Sequence, residues 1–192
     1  MRKASLSETD PLPFCMSTAT AVARAIRTIP DFPKPGIQFK DITPVLADPT
    51  LTAEAVAALA APVAETSATK VLGIEARGFI LGPLLAQALD AGFVPVRKEN
   101  KLPHTTVQAS YALEYGTGVI EMHADAISRE DRVLIHDDVI ATGGTAAAAA
   151  DLVRSAGGTV VGYSFLLELG FLNGRAKLDD GLPFHSLVHV AE

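Results

Sequence analysis

The sequence predicts an α/β protein with a central, mostly parallel β-sheet flanked by helices. Two observations carry that prediction. Short stretches that are almost continuously apolar alternate with longer helix-forming stretches, and those apolar stretches lack the every-other-residue polar face of a half-exposed strand. Strands of this kind, separated by helices, form parallel sheets covered on both faces.

In chain order, residues 1–16 are polar, proline-punctuated and aperiodic, and are expected to be a disordered tail, with Met16 a candidate natural start. "STATAVARAIRTI" (17–29) can form an amphipathic helix with Ala21, Ala25 and Ile29 on one face. "PDFPKPGIQFKDITPVLADP" (30–49) holds five prolines and a glycine, which exclude a long helix and favour an ordered loop. Residues 53–61 read as helix on propensity. Then "KVLGI" (70–74) is strand, "GFILGPLLAQALDAG" (78–92) helix and "FVPV" (93–96) strand. Residues 98–118 show no strong period, and an interval this long inside a compact domain is functional or disordered. "GVIEMH" (118–123) and "RVLIH" (132–136) are strands, "TAAAAADLVRSAGG" (145–158) is helix and "TVVGYSFLLEL" (159–169) is strand. Residues 17–192 are long enough for one domain with a full core.

Composition narrows the classes of function. No uncharged apolar run approaches the ~18–20 residues of a membrane helix; the longest, 78–89 and 139–150, are interrupted by Gly, Pro or Thr. The first fourteen residues lack a signal-peptide core, and Glu8 and Asp10 argue further against export. The single cysteine, Cys15, allows no intrachain disulfide and fits a reducing cytoplasm. A net charge of −6 argues against nonspecific nucleic-acid binding. Arg97, Lys98 and Lys101 nevertheless cluster, which suits a small polyanion.

The most informative stretch is "VLIHDDVIATGGT" (133–145). Asp137 and Asp138 fall at the carboxyl end of a strand, where open α/β sheets bind ligands. Gly143 and Gly144 allow a tight turn and close backbone approach. The helix that follows adds unpaired N–H groups and the positive end of its dipole, and Thr142 and Thr145 add hydroxyls, so the loop is a phosphate cradle. Two carboxylates beside it would repel phosphate but accept hydrogen bonds from a sugar diol. The combination asks for a sugar phosphate. A Walker loop is excluded because its lysine is absent, and the dinucleotide G-x-G-x-x-G is absent too. A solvated acid pair beside an ordinary helix-start turn accounts for a generic Gly-Gly-Thr, but poorly for the whole unit.

This unit resembles the signature of the type I phosphoribosyltransferases. Three further stretches, 31–49, "EARGF" (75–79) and "VRKENKLPHTTVQASYALEYG" (96–116), are similar to the branch of that family that uses adenine. The likeness runs from about Ile29 to the C-terminus. It implies the family's sheet with a small N-terminal and hood region. It also implies purine salvage: adenine and 5-phosphoribosyl 1-pyrophosphate giving AMP and pyrophosphate, with Mg²⁺, in a cytoplasmic homodimer.

The resemblance also assigns residues. Asp137, Asp138, Ala141, Thr142, Gly143, Gly144 and Thr145 would hold the ribose and its 5′-phosphate. Glu75, Ala76 and Arg77, with a cis peptide at Glu75–Ala76, would hold pyrophosphate together with Arg97 and Lys101, the last two from the neighbouring subunit in one arrangement. Arg77 suits this because its planar fork meets phosphate oxygens two at a time. Phe39 would stack on adenine, backbone groups of Gln38 and Lys40 would read its edge, and Leu169 would cover its other face. Within the hood, about 98–118, Glu114 would handle the base's proton near N7 and Tyr115 would close the lid. That role needs Glu114 protonated, which desolvation on closure favours. Arg77 and Glu114 are the expected catalytic pair. No dedicated protein ligands for the metal are expected: His104, His123, His136, His185 and His189 lack ligand spacing, and Mg²⁺ draws mainly on substrate oxygens and water. His136 takes a position that is usually apolar in the family.

Two other readings are weaker. A transferase for a 6-oxopurine would differ mainly at the base pocket, and "EARGF" with "LEYG" favours adenine. A sensor of phosphoribosyl pyrophosphate that binds DNA needs an added module and a basic face. The roughly thirty residues ahead of the likeness and the negative charge supply neither.

Overall fold

The structure, a computed structural model, describes residues 17–112 and 116–191. In chain order its elements are α1 (Thr18–Ala25), β1 (Arg27–Pro30), β2 (Gln38–Asp41), α2 (Thr43–Ala47), α3 (Pro49–Ala60), β3 (Lys70–Ile74), α4 (Gly78–Ala88), β4 (Gly92–Lys98), β5 (Thr106–Ala112), β6 (Thr117–His123), β7 (Arg132–Ile140), α5 (Gly144–Ser155), β8 (Thr159–Leu169) and β9 (Phe184–Val190). Seven strands form one sheet in the order β5-β6-β4-β3-β7-β8-β9, and β1 pairs with β2 in a separate antiparallel hairpin. The pairs among β4, β3, β7, β8 and β9 are parallel, whereas β6 runs antiparallel to both β4 and β5. The expected mostly parallel α/β sheet is therefore present.

Both faces of the sheet are packed. Leu72, Ile74, Ile135 and Phe165 lie in one apolar cluster with α5, while Val71, Leu134 and Leu166 lie in a second with α3 and α4. The continuous apolar runs in β3, β7 and β8 follow from this double burial. Small residues bring the helices close: Ala146, Ala148, Ala149 and Ala150 are all buried along α5.

Three local expectations are corrected. The first helix ends at Ala25, capped by the Ser17 side chain; it buries Val22, and Ile29 lies in β1 instead. Residues 30–49 are a hairpin and helix rather than a loop. Gly36, with a φ of 88°, turns the chain while its N–H donates to Asp31 Oδ1 at 2.7 Å. Pro44 and Pro49 occupy first helical turns, where a missing N–H costs nothing, and Asp48 caps α3 through the Thr50 and Leu51 amides. The interval 98–118 contains β5. There Val107, Ala109 and Tyr111 pack on the core while Gln108 and Ser110 point away, a period of two that small alanines obscure. β9, with two histidines and a serine in its seven residues, was not foreseen at all. The expectation for residues 1–16 lies outside the described residues.

β3 is the pivot of the topology. The chain adds β4 on one side of it and later β7 on the other, so the strand order reverses between β3 and β7. Ligands bind at such a reversal, outside the carboxyl ends of the strands.

His136 on β7 is fully buried, and its Nδ1 lies 2.9 Å from the Ser164 carbonyl oxygen on β8. A carbonyl only accepts, so Nδ1 carries a hydrogen. Burial pulls its pKa down to about 4, against the weaker upward effects of the Ser164 bond and the Asp138 charge. The unfolded chain takes up this proton from about pH 6.5 downward and the folded chain does not, so His136 should cost stability as pH falls from 6.5 toward 4. His136→Leu should flatten that part of the stability profile, which urea midpoints at pH 4.5, 5.5 and 7 would read against the parent protein.

Candidate active site

The pairing of β7 with β3 ends at His136 opposite Gly73, while its pairing with β8 continues to Ile140 opposite Glu168. Asp137 and Asp138 thus sit inside β7, not past its end, but beyond the reach of β3. Adjacent strand residues point to opposite sides, and the two acids accordingly have different surroundings. Asp138 is almost fully buried and its carboxylate accepts a short bond from Arg77 Nε. Asp137 lines a cavity of about 90 Å³ under the loop that follows, and its Oδ1 accepts the Asp138 N–H at 2.8 Å. Burial, then the Asp138 charge beside it, hold the Asp137 carboxyl well above the usual carboxylate range.

The same cavity is lined by Ala141, Thr142, Gly143, Thr145 and, at its floor, Phe165. Gly143 has a φ of 75°, and α5 starts at Gly144 with no side-chain cap. The first N–H groups of α5 therefore have no partner within the helix, which makes this a site for an anion.

The turn from β3 into α4 lies alongside. Its Glu75–Ala76 peptide is cis. Arg77 sits at the start of α4 with its guanidinium 5.3 Å from the centre of the Phe39 ring, so one side chain spans from the hairpin to Asp138. Gly78 makes room for the acids, since a Cβ there would lie 3.0 Å from Asp137 Oδ1.

Glu75 ties this turn to the end of β4. It accepts the Lys98 N–H at 2.9 Å and Arg97 Nη2 at 3.2 Å, and Arg97 Nη1 in turn donates to the Lys101 carbonyl at 3.0 Å. Burial pushes the Glu75 carboxyl up, but the Lys98 and Arg97 bonds outweigh it and leave its pKa lowered. Beneath Lys101 lies a residue the sequence reading passed over. Glu121 on β6 is buried and accepts the Lys101 and Leu102 amides at 2.8 and 2.9 Å, with Thr106 and Gln108 side chains at 3.3 Å. Its signal was a lone carboxylate in the apolar run "GVIEMH".

On the hairpin side, Phe39 meets Phe32 edge-on at 5.1 Å as well as Arg77. Gln38 and Lys40 line a separate cavity of about 460 Å³ with Thr28, Ile37, Phe171 and Leu172. Phe39 and Leu169 are not part of its lining, as strand alternation requires of Phe39. Phe171 and Leu172 were likewise unforeseen, although "LGFL" is apolar just past a strand end. Glu114 and Tyr115 lie outside the described residues. Among the rest, the structure links Asp138, Arg77 and Phe39 in one set of contacts and Glu75 with Arg97 in another, the two joined through the 75–77 turn, with Lys101 held to Arg97 and Glu121, while Asp137 and the 141–145 loop share a cavity.

The phosphoribosyl transferase domain family matches residues 46–178. An adenine phosphoribosyltransferase of Thermobifida fusca is 58% identical over 167 residues, 86% of this chain and 95% of that protein. The chain belongs to the adenine phosphoribosyltransferases. Solved members have the same fold: the enzyme of Rhodothermus marinus superposes with a TM-score of 0.86 at 60% identity, covering 90% of this chain and 98% of that one. The enzyme of Saccharomyces cerevisiae, solved with an imino-altritol bisphosphate and adenine, superposes with a TM-score of 0.84 at 40% identity over 89% of this chain and 98% of that one.

The environment of Asp137 sets a cost that substitution should reveal. Its folded pKa is raised, so the folded state resists an ionisation that the unfolded chain undergoes as pH rises through 3.8. Asp137→Asn should therefore stabilise the unliganded protein at pH 7, by about 1–2 kcal/mol. The gain should vanish as pH falls through 3.8, and thermal unfolding at several pH values measures it.

Proposed function

We propose that this chain transfers the phosphoribosyl group of 5-phosphoribosyl 1-pyrophosphate to adenine, releasing pyrophosphate and forming AMP in purine salvage. The observation that carries the reading is the position of the acid pair and the bare 141–145 loop beside the Arg77 turn, all at the reversal of strand order. In such a transfer, positive charge develops at the anomeric carbon while pyrophosphate leaves with growing negative charge. The chain's task is to hold both partners in line and to meet those charges with fixed groups.

On this reading the α5 N-terminus and the Thr142 and Thr145 hydroxyls hold the 5′-phosphate, and Asp137 and Asp138 accept bonds from the ribose hydroxyls. Arg77, Arg97 and Lys101 take the pyrophosphate, with Glu75 and Glu121 fixing the backbone from which the last two project. Phe39 carries the purine, the backbone of Gln38 and Lys40 reads its edge, and Leu169 covers it. Glu114 manages the base's proton and Tyr115 closes over it. Mg²⁺ would take its ligands mainly from substrate oxygens and water rather than from a dedicated set of side chains, and it would shield the charge of the leaving pyrophosphate.

The active species we propose is a cytoplasmic homodimer. Ile80 and Leu84, one turn apart on α4, are exposed, and Leu84 borders an apolar groove with Leu46 and Val56 that suits a second copy. Among the described residues no helix is long and apolar enough to cross a membrane.

The deciding experiment is AMP formation from phosphoribosyl pyrophosphate and Mg²⁺, with adenine, hypoxanthine, guanine and xanthine assayed in parallel. Adenine alone should be turned over; turnover of another base instead would overturn the base-pocket assignment. Phe39→Ala should raise KM for adenine about tenfold, in line with the loss of one base–aromatic stack, while KM for phosphoribosyl pyrophosphate stays within about twofold. Glu114→Leu should cut kcat far more than it weakens phosphoribosyl pyrophosphate, and equal losses in both would remove Glu114 from the chemistry.

A further inference from the structure

The segment that follows β8 is fastened to the molecule at several points. It leaves the sheet at Leu169 and passes through two 3-10 turns, Gly170–Leu172 and Gly174–Lys177, with Asn173 between them at a φ of 50°. Arg175 then lies 4.6 Å over the Phe184 ring on β9, Leu178 is buried in the cluster that includes α5, and Asp179 accepts two side-chain bonds. One comes from the Tyr163 hydroxyl on β8 at 2.5 Å, the other from Arg154 in the last turn of α5. The segment is thus a strap along α5, the helix whose first turn forms the anion cavity.

At its upper end the strap touches the loop of that cavity backbone to backbone. A Cβ at Gly143 would overlap the Gly174 carbonyl oxygen. A Cβ at Gly174, which is buried, would overlap the Ala141 carbonyl oxygen and lie 2.8 Å from the Gly143 nitrogen. Neither glycine leaves room for a side chain of the other, so the position of Gly174 limits where residues 141–143 can run. These are the residues whose amides and carbonyls shape the cavity.

We infer that Gly174 and Asp179 are positioning residues for the 5′-phosphate: the strap, latched by Asp179 to Arg154 and Tyr163, presses Gly174 against Ala141 and Gly143 and fixes the loop in its phosphate-binding form. This rests on the proposed function, because it takes the 141–145 loop to be where the 5′-phosphate sits. It adds two residues remote from the reacting atoms, one of them near the opposite end of α5.

The test compares two ligands that divide the site. Ribose 5-phosphate needs the loop, whereas pyrophosphate alone engages Arg77, Arg97 and Lys101. Titration calorimetry with each ligand would be run on the parent protein, Gly174→Ala and Asp179→Ala. Gly174→Ala should weaken ribose 5-phosphate by roughly tenfold or more, which corresponds to about 1.4 kcal/mol, and leave pyrophosphate within about twofold. Asp179→Ala should show the same selectivity with a smaller loss. Unchanged binding of ribose 5-phosphate, or equal weakening of both ligands, would overturn the inference, since a general loss of structure does not distinguish the two. If Gly174→Ala does not fold, Asp179→Ala decides by the same criterion. The parent protein separates the two levels of argument: no adenine turnover there sinks the functional reading, while turnover without the selective loss in the variants sinks only the strap.

Discussion

The pairing of β3 with β7 stops at Gly73 and His136, and the two strands then diverge. β3 ends at Ile74 and turns through Glu75–Arg77 into α4, while β7 runs on against β8 for four more residues. Most of the site depends on that divergence. It leaves Asp137 and Asp138 paired with β8 on one side and without a strand partner on the other. It also places the start of α4 and, through the loop after Ile140, the start of α5 on the same edge. Had β3 continued beside β7, its backbone would have occupied the space where Arg77 now reaches Asp138.

The charges at this edge are arranged in opposed pairs. Arg77 is bound to Asp138, and Arg97 to Glu75, within a chain that is acidic overall. Arg77 and Arg97 are partly exposed, but Asp138 is buried, so taking Arg77 away from it leaves a buried charge without compensation. A phosphorylated sugar bearing hydroxyls and pyrophosphate can replace both partners at once: hydroxyls for the carboxylate, phosphate oxygens for the guanidinium. A simple anion offers only half of that exchange. Such pairing favours a substrate with both kinds of group in one molecule, and it keeps Arg77 oriented beforehand, stacked on Phe39 and aimed at the acids.

The parallel core was legible because double burial writes itself into composition: strands β3, β7 and β8 have nowhere to put a polar face. The loop at 141–145 was legible because few other arrangements place two acids and two glycines between a strand and an alanine-rich helix. What escaped had a different physical basis. β5 carries its inward face on residues as small as Ala109, so its alternation has little amplitude. β9 includes His185, Ser186 and His189 among its residues, and such polar side chains break the apolar run that marks β3, β7 and β8. The β1–β2 hairpin was masked by prolines, which exclude helix but say nothing against a short strand on the edge of a two-stranded sheet. Glu121 showed in the sequence only as a lone carboxylate in an apolar run, and the partners that explain it and Asp179 lie up to 25 residues away along the chain.

On the proposed reading, the strap ties the base and phosphate sites together. Phe171 and Leu172 line the cavity beside Gln38 and Lys40, and Gly174, two residues on, abuts the loop at 141–143. Asn173 joins the two 3-10 turns in a left-handed conformation. The lower end cannot yield easily, because Leu178 is buried and Asp179 is held by groups from both a strand and a helix. A shift of Gly174 large enough to open the loop would therefore carry Phe171 and Leu172 with it. On the proposed reading, the cavity beside Gln38 and Lys40 and the loop at 141–143 are both shaped by this short stretch of backbone, so a substitution at either end is expected to act on both.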